Sequence, residues 1–488
     1  MTKKTAMKRF LYLFFILSIF VGNKTYAHAG KSSYHVFIDS DCAIDDFRAI
    51  TMLLAGHDIR VLGITASSGS LPVHIGTQKI SELCADLYHE GVPQGKGDEV
   101  HIPKAEWEDF AKSIQWGTAI KKDEEQSAMQ VLYTAIHSYQ YPVTLIALGS
   151  LTTYAQFLQK YPQYKKNIDK IIWYNSMPIE QGYNYVLDTA SYSFIAKSGV
   201  PLHIVSNTRA DLVCSNDYIS KISKSESKYA KKIASVHTQN TVQKRMKQNH
   251  LHLWDDLIPL YLTNPILFTS TTDGSITLSE LSASIPLEFI YESIALILES
   301  SQEYENRVFS HFPIESHLYK KEYADLLENI YEKYGVEEWK AVVLTNEIHG
   351  HTGIYSIIGA KMGIRACEYF NVGVNNIYVT TYVGSLPPLS CFNDGVQIST
   401  GATIGQGLIR ISDTVYATPT VAFTCNNKTV YMSIREDVAQ KIRDDIAFGV
   451  KNYGLESLKY WDYIEELALV YWRDFDKRDI FNIYTSLE

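Results

Sequence analysis

Basic residues are the scarcer charge in this chain: 45 Lys and Arg stand against 54 Asp and Glu, a formal net charge of −9. Binding nucleic acid needs a basic face that neutralises phosphates, so this balance argues against DNA or RNA and for a small soluble substrate. Glycine and proline are sparse, 27 and 14 in 488 residues, which excludes fibrous and low-complexity chains. The six cysteines, Cys42, Cys84, Cys214, Cys367, Cys391 and Cys425, are scattered and do not make the dense framework of a disulfide scaffold. Beyond the N-terminus no apolar run is long enough to cross a bilayer. What is present is globular composition, 46% hydrophobic and 20% charged, at a length that exceeds one ordinary core. Two domains are expected.

The first residues read as processing signal. Lys3, Lys4, Lys8 and Arg9 precede an apolar run from Phe10 to Val21, and Ala27-His28-Ala29 makes a small-x-small site. We expect a signal peptide over residues 1–29, a periplasmic or secreted product, and no stable membrane anchor after processing. An uncleaved N-terminal anchor is the rival reading.

From Tyr34 a short apolar run, His35-Val36-Phe37-Ile38, leads into acidic residues and then an apolar-periodic segment from Phe47 to Ala55: strand, loop, helix. Strand candidates recur at 60–64, 143–147, 170–173 and 202–205, with helical patterns between them. The alternation predicts an α/β domain over residues 31–315, an open, mostly parallel sheet with helices on both faces. Such sheets bind ligands at their carboxyl edge, so charges at strand ends are candidate chemistry. After about Ser300 the pattern changes. A helix over Tyr323 to Tyr334 leads into a Gly- and Thr-rich stretch of short β-type runs, and Ser433 to Leu469 carries apolar residues at helical spacing. This predicts a smaller α+β domain over residues 316–488 with C-terminal helices.

Asp39-Ser40-Asp41-Cys42-Ala43-Ile44-Asp45-Asp46 sets four carboxylates just after the first strand. Like charges so close are costly unless a cation or hydrogen-bond donors offset them, and hard oxygen ligands suit calcium or magnesium. The rival is a solvated loop in which Asp45 or Asp46 caps the following helix; position at a strand end favours the ion. The segment resembles the Asp-x-Asp-Pro-Gly-x-Asp-Asp signature of the inosine-uridine-preferring nucleoside hydrolases, with Cys42 and Ala43 in the Pro-Gly places. Leu148-Gly149-Ser150-Leu151-Thr152-Thr153 is similar to that family's Gly-Pro-Leu-Thr-Asn turn. Tyr183 to Asp188 resembles its Glu-Phe-Asn segment, and Trp254 to Pro265 its His-Asp-Pro-x-Ala-x-x-Tyr-x-x-Asp-Pro segment, so the likeness spans roughly residues 34 to 310.

The resemblance implies an N-glycosyl hydrolase that holds calcium with Asp41, Asp46, Asp255 and the carbonyl of Leu148. Asp41 would accept a proton from the attacking water, and Asp45 and Asn184 would bind ribose. Asp255 or Asp256 as a helix cap is the bland alternative. Three positions depart from the pattern: Gly182 and Ser70 stand where the family has a sugar-binding Glu and Asn, and Trp254 replaces a histidine that protonates the departing base in some members. Trp254 would stack on the base instead. His250 and His252 lie close by, but leaving-group activation is assigned to no residue.

Farther on, Glu347-Ile348-His349-Gly350-His351-Thr352-Gly353 resembles the His-Gly-His-x-Cys-Pro-Gly opening of the FmdE-like proteins, a family tied to formylmethanofuran dehydrogenase. Cys391 to Gln397 and Thr400 to Gly407 resemble two later motifs of that family, over about residues 320 to 435. His349, His351 and Cys391 are then candidate ligands for zinc or a similar metal. Gly353 and Ala402 occupy cysteine places, and a scaffold role for the Gly-rich turns and histidines stays open.

Three functions follow from these readings: an exported calcium-dependent hydrolase of nucleosides or related N-ribosides, a degenerate hydrolase that binds a sugar or nucleoside without turnover, and a metal-handling protein acting through the second domain. The first is favoured. Self-association into a homo-oligomer is left open.

Overall fold

Strands with both faces covered need apolar residues at every position, and the N-terminal half supplies five such runs. In the computed structural model, which describes residues 33–100, 102–118, 125–300 and 308–486, these runs build the centre of a nine-stranded sheet. The expected signal peptide lies outside the described residues. The central strands are β1 (Tyr34–Ser40), β2 (Ile59–Ala66), β5 (Val143–Ala147), β6 (Ile168–Tyr174) and β7 (Leu202–Ser206). The short β3 (Gln94–Lys96) and β4 (Gln126–Ser127) extend one side, and β8 (Phe268–Asp273) and β9 (Ile276–Leu281) the other.

The order is β4-β3-β2-β1-β5-β6-β7-β9-β8, parallel throughout except for the antiparallel β8–β9 pair at one edge. Separate apolar cores cover the two faces. This is the expected mostly parallel sheet, and β1 sits near its centre, so the loop after Ser40 opens at the middle of the carboxyl edge.

A second sheet follows, ordered β11-β10-β12-β13-β14. Its strands are β10 (Tyr378–Thr381), β11 (Ile409–Ile411), β12 (Thr420–Cys425), β13 (Lys428–Ile434) and β14 (Phe481–Tyr484), and it has its own apolar core. This smaller part is more helical than the sequence pattern suggests. The helix expected over Tyr323 to Tyr334 runs from Lys321 to His349, bending where Gly335 takes φ 84°. Helices Ile354–Phe370 and Cys391–Thr400 occupy stretches that read as β-type runs. The reason is burial: nearly every residue of Ile354–Phe370 is buried, so the helix has no polar stripe and no 3.6-residue period to betray it. Ser433 belongs to β13, and the C-terminal helical spacing resolves into helices Glu436–Tyr453 and Leu458–Asp474. All six cysteines are free thiols.

Residues 32–488 form one unit by their contacts, and the second sheet's surroundings dock on the first sheet at the amino ends of its strands. Arg365 donates to the carbonyl of Tyr88 at 3.1 Å and to Glu90 Oε1 at 2.8 Å, just ahead of β3. Arg60, at the start of β2, donates to Asn376 Oδ1 and Asn426 Oδ1, each at 3.0 Å. Gly91 lies flat on Tyr369, whose ring would be 2.4 Å from any Cβ placed there.

At the heart of this junction Glu368 Oε1 accepts from Lys228 Nζ at 3.2 Å and from Arg478 Nη2 at 2.7 Å. Burial pushes the carboxyl up, yet the two cations prevail and hold it well below its ordinary 4.5. Burial outweighs the pull of Glu368 on Lys228, and its ammonium is pulled down. A depressed carboxyl contributes stability that is present above pH 4.5 and lost as the pH falls below it. Glu368→Gln should therefore lose about 2 kcal/mol of unfolding free energy at neutral pH, with the deficit shrinking under acid conditions. Urea titrations at several pH values check this; parallel acid profiles for the two proteins would contradict it.

Candidate active site

The carboxyl edge gathers the acidic groups by a specific backbone path. β1 ends with Asp39 and Ser40 buried, and the chain then turns through Cys42, which sits at φ 72°, a left-handed conformation uncommon for a residue with a side chain. That turn aims the Cys42 amide at Asp46 Oδ2, 2.9 Å away, and Ser40 Oγ donates to the same oxygen at 2.7 Å. Helix Ile44–Ala55 therefore begins with Asp45 and Asp46 in its first turn, while its N-cap position is Ala43 and makes no side-chain cap. Neither aspartate is a cap.

Asp41 is fixed from the other side. Its Oδ2 accepts from the Ser70 amide at 3.1 Å. A Cβ on Gly69 would stand 2.2 Å from that oxygen, and one on Gly149 would stand 2.9 Å from Asp41 Cβ, so both loops must carry glycine to close on the carboxylate. Asp255 arrives from the segment before helix Leu257–Thr263. It is placed by its neighbour: Asp256 takes two hydrogen bonds from Arg48, Nε to Oδ1 and Nη2 to Oδ2, both 2.8 Å, with both side chains fully buried.

Among the described residues, the one set of three or more His, Cys, Asp or Glu side chains whose ligand atoms lie within 4.8 Å of one another is Asp45, Asp46 and Asp255. All are buried, and Asp255 Oδ1 has no hydrogen-bond partner. Burial is the leading cause pushing each carboxyl up: Asp39 to about 6, Asp41 to about 7 with the charge of Asp45 adding to it, and Asp45 to about 6 against the pull of Arg48. Asp46 and Asp255 go well above the carboxylate range, each raised by burial and then by the other carboxylates. Such a site is stable only with protons or a cation in it. Its donors, carboxylate oxygens from separate segments with one left unpaired, fit a hard divalent ion.

The sequence-derived residues fall as follows. Asp45, Asp46 and Asp255 converge; Asp41 adjoins Asp46. The Leu148 carbonyl accepts from Asn184 Nδ2 at 3.1 Å, and the same amide nitrogen donates to the Tyr174 carbonyl at 3.1 Å. Asn184 therefore holds two strand ends together and leaves its Oδ1 for other use. Trp254 is 41% exposed and stacks on His252, ring centroids 4.8 Å apart. At Gly182 a Cβ would meet the Asn175 side-chain amide at 2.1 Å, so no acidic side chain fits there as long as Asn175 holds its place.

Sequence reasoning missed three residues. Arg48 is the buried cation that positions the Asp255 segment; it lies four residues past Ile44 on the same helix, and only the distant Asp256 reveals its task. Trp107 and Tyr183 meet edge to face at 4.7 Å, and Trp107 Nε1 donates at 2.8 Å to Oγ of Ser70, the residue whose amide holds Asp41. At the same strand ends lies a cleft of about 350 Å³, lined by Ser67, Ser150, Thr153, Lys96 and Asp188 together with apolar residues such as Met129 and Leu187. Ser68 and Ser150, in its wall, are the chain neighbours of the glycines that press on Asp41.

In the second part, His349 Nδ1 lies 2.8 Å from Asp394 Oδ2, its Nε2 is buried with no partner, and the His351 ring stands 4.3 Å away. A carboxylate on one imidazole nitrogen with the other free is the arrangement of a metal-ligating histidine. Cys391 does not complete a three-ligand set with the two histidines.

The family model for inosine-uridine preferring nucleoside hydrolase matches residues 36–299, more than half of the chain. The chain belongs to that family. The match takes in the loop of Asp39 to Asp46 and the Asp255 segment. A second family model, FmdE, molybdenum formylmethanofuran dehydrogenase operon, matches residues 348–468, reaching farther toward the C-terminus than the motifs themselves.

Among curated relatives, an uncharacterized protein of Schizosaccharomyces pombe is 28% identical over 151 residues, 29% of this chain and 45% of its own length. Uridine nucleosidase 1 of Arabidopsis thaliana is 24% identical over 254 residues, 48% of this chain and 73% of its own. Of solved structures, a purine-preferring ribonucleoside hydrolase from Gardnerella vaginalis has a TM-score of 0.48 at 16% identity, covering 55% of this chain and 98% of that one.

If Arg48 positions the Asp255 segment, its removal leaves a buried carboxylate unpaired. Arg48→Met is expected to cost about 3–5 kcal/mol of unfolding free energy; a urea midpoint within error of the parent would show that Asp256 finds another partner.

Proposed function

We propose that the chain hydrolyses the N-glycosidic bond of a nucleoside or related N-riboside with the help of calcium. The observation that carries this is the buried carboxylate site at the centre of the carboxyl edge, in a chain of the nucleoside hydrolase family. Asp46 and Asp255 would hold the ion with Asp41 and the carbonyl of Leu148, and Asp45 lies close enough to share it. When bound, calcium supplies the positive charge that offsets these carboxylates and makes a nearby water more acidic.

The protein's own groups do the rest. Asp41, held by the Ser70 amide and pressed by two glycines, takes the proton from water as its oxygen attacks the anomeric carbon. The carbon–nitrogen bond breaks with its electron pair going to the base, and the surrounding carboxylates stabilise the positive charge that develops on the sugar. Asp45 and the free Oδ1 of Asn184 accept from ribose hydroxyls. Trp254, exposed beside the Asp255 segment, offers a stacking face for the base.

A second reading, sugar or nucleoside binding without turnover, is favoured by Gly182, where Asn175 leaves no room for the acidic side chain the family carries. For the other part of the chain we propose a zinc-like metal at His349 and His351, with Cys391 joining only after a side-chain movement. The basic and apolar N-terminus supports export as the setting for all of this.

Two measurements test the reading. Reducing-sugar release from a panel of purine and pyrimidine nucleosides is expected for the parent protein and should fall by about 10²–10⁴-fold in Asp41→Asn, while ribose binding persists. Binding without release by the parent would support the second reading. Chelation should lower the melting temperature, and Asp46→Ala should abolish that response; a melting curve indifferent to chelator would remove calcium from the account.

A further inference from the structure

The donors and acceptors around the carboxylates do not balance. Asp41, Asp45, Asp46 and Asp255 only accept when ionised, whereas each sugar hydroxyl donates one hydrogen and accepts others. A sugar bound here needs donors as well. Most side-chain donors described above are committed: Arg48 gives Nε and Nη2 to Asp256 and the His252 carbonyl and keeps only Nη1 unpartnered, Asn184 Nδ2 serves two backbone carbonyls, and Trp107 Nε1 serves Ser70.

Besides Arg48 Nη1 and the Tyr174 hydroxyl, Tyr183 has a donor to spare, and it alone of these packs on the Trp107 that is tied to the Ser70 loop. Its hydroxyl is buried and has no hydrogen-bond partner. Its ring is held edge to face by Trp107, which is itself tied to the loop of Ser70 that grips Asp41. A buried hydroxyl without a partner costs free energy unless something else satisfies it.

We propose that Tyr183 is a substrate-contacting residue, its phenol donating a hydrogen bond to a sugar oxygen of the ribosyl substrate lying against Asp41. This rests on the reading of the site as one for N-ribosides. Burial, with the charges of Asp41, Glu108 and Asp46, raises the phenol above its ordinary range and keeps it a donor.

Tyr183→Phe tests this cleanly, because it deletes only the hydroxyl and keeps the ring against Trp107. With calcium present, the variant should melt no lower than the parent, since no bond within the protein is lost. Its Kd for D-ribose by calorimetry, and its kcat/KM for uridine and inosine, should worsen by about tenfold to a hundredfold. A purely structural tyrosine would instead lower the melting temperature and leave ribose affinity alone, and that pattern overturns the proposal. Parent-like affinity and turnover in the variant would overturn it while leaving the hydrolase reading intact. If the parent binds ribose without releasing any, weakened binding by Tyr183→Phe upholds the tyrosine's role and only the turnover reading falls. No binding of ribose, uridine or inosine by the parent would sink both.

Discussion

Everything at the functional edge follows from one constraint: carboxylates from segments about two hundred residues apart must share one buried space. A parallel sheet covered on both faces can house charge only at the ends of its strands, and β1, near the middle of nine, delivers Asp39 and the loop of Asp41, Asp45 and Asp46 there. Asp255 is brought against them by the Arg48–Asp256 pair, whose arginine is engaged mainly by Asp256 and only partly offsets Asp45. The remaining charges shape their surroundings. Glycine is required at 69 and 149, a left-handed backbone at Cys42, and backbone amides turned toward Asp41 and Asp46.

The parts of this plan that showed in the sequence are those written locally. Continuous apolar runs marked the central strands because both faces of each are buried, and the spacing of aspartates after the first strand marked the loop. Gly182 and Ser70 could be recognised as departures, but their meaning lies in three dimensions: Asn175 fills the space beside one, and Trp107 takes up the hydroxyl of the other. Tyr183 lay inside the recognised Glu-Phe-Asn-like segment, but its hydroxyl gave no signal, since a tyrosine in a phenylalanine place at the start of a five-residue helix reads as packing. In the second part, helix Ile354–Phe370 hid for the opposite reason. Burial on all sides removed the periodicity by which a helix is read.

The two parts of the chain meet where no chemistry is. Arg60, Tyr88, Glu90 and Gly91 all lie at or just before the amino ends of β2 and β3, whereas Asp41, Ser67 and Leu148 follow the carboxyl ends of strands parallel to them. The second sheet and its helices therefore stand at the edge of the first sheet opposite the aspartates. They supply nothing to the carboxylate pocket directly.

Helix Ile354–Phe370 makes the separation sharper. Arg365, Glu368 and Tyr369, near its C-terminal end, carry the junction, while its N-terminal end follows Gly353, which lies against the His349 ring. Seventeen residues of helix span about 25 Å. The histidine cluster is thus held a helix length from the junction, and the length of the strands lies between the junction and the aspartates. Two pockets so placed cannot share a substrate atom. Any influence of one on the other has to pass through the junction, where a shift of the helix would disturb Glu368 with Lys228 and Arg478, and Arg365 with Glu90.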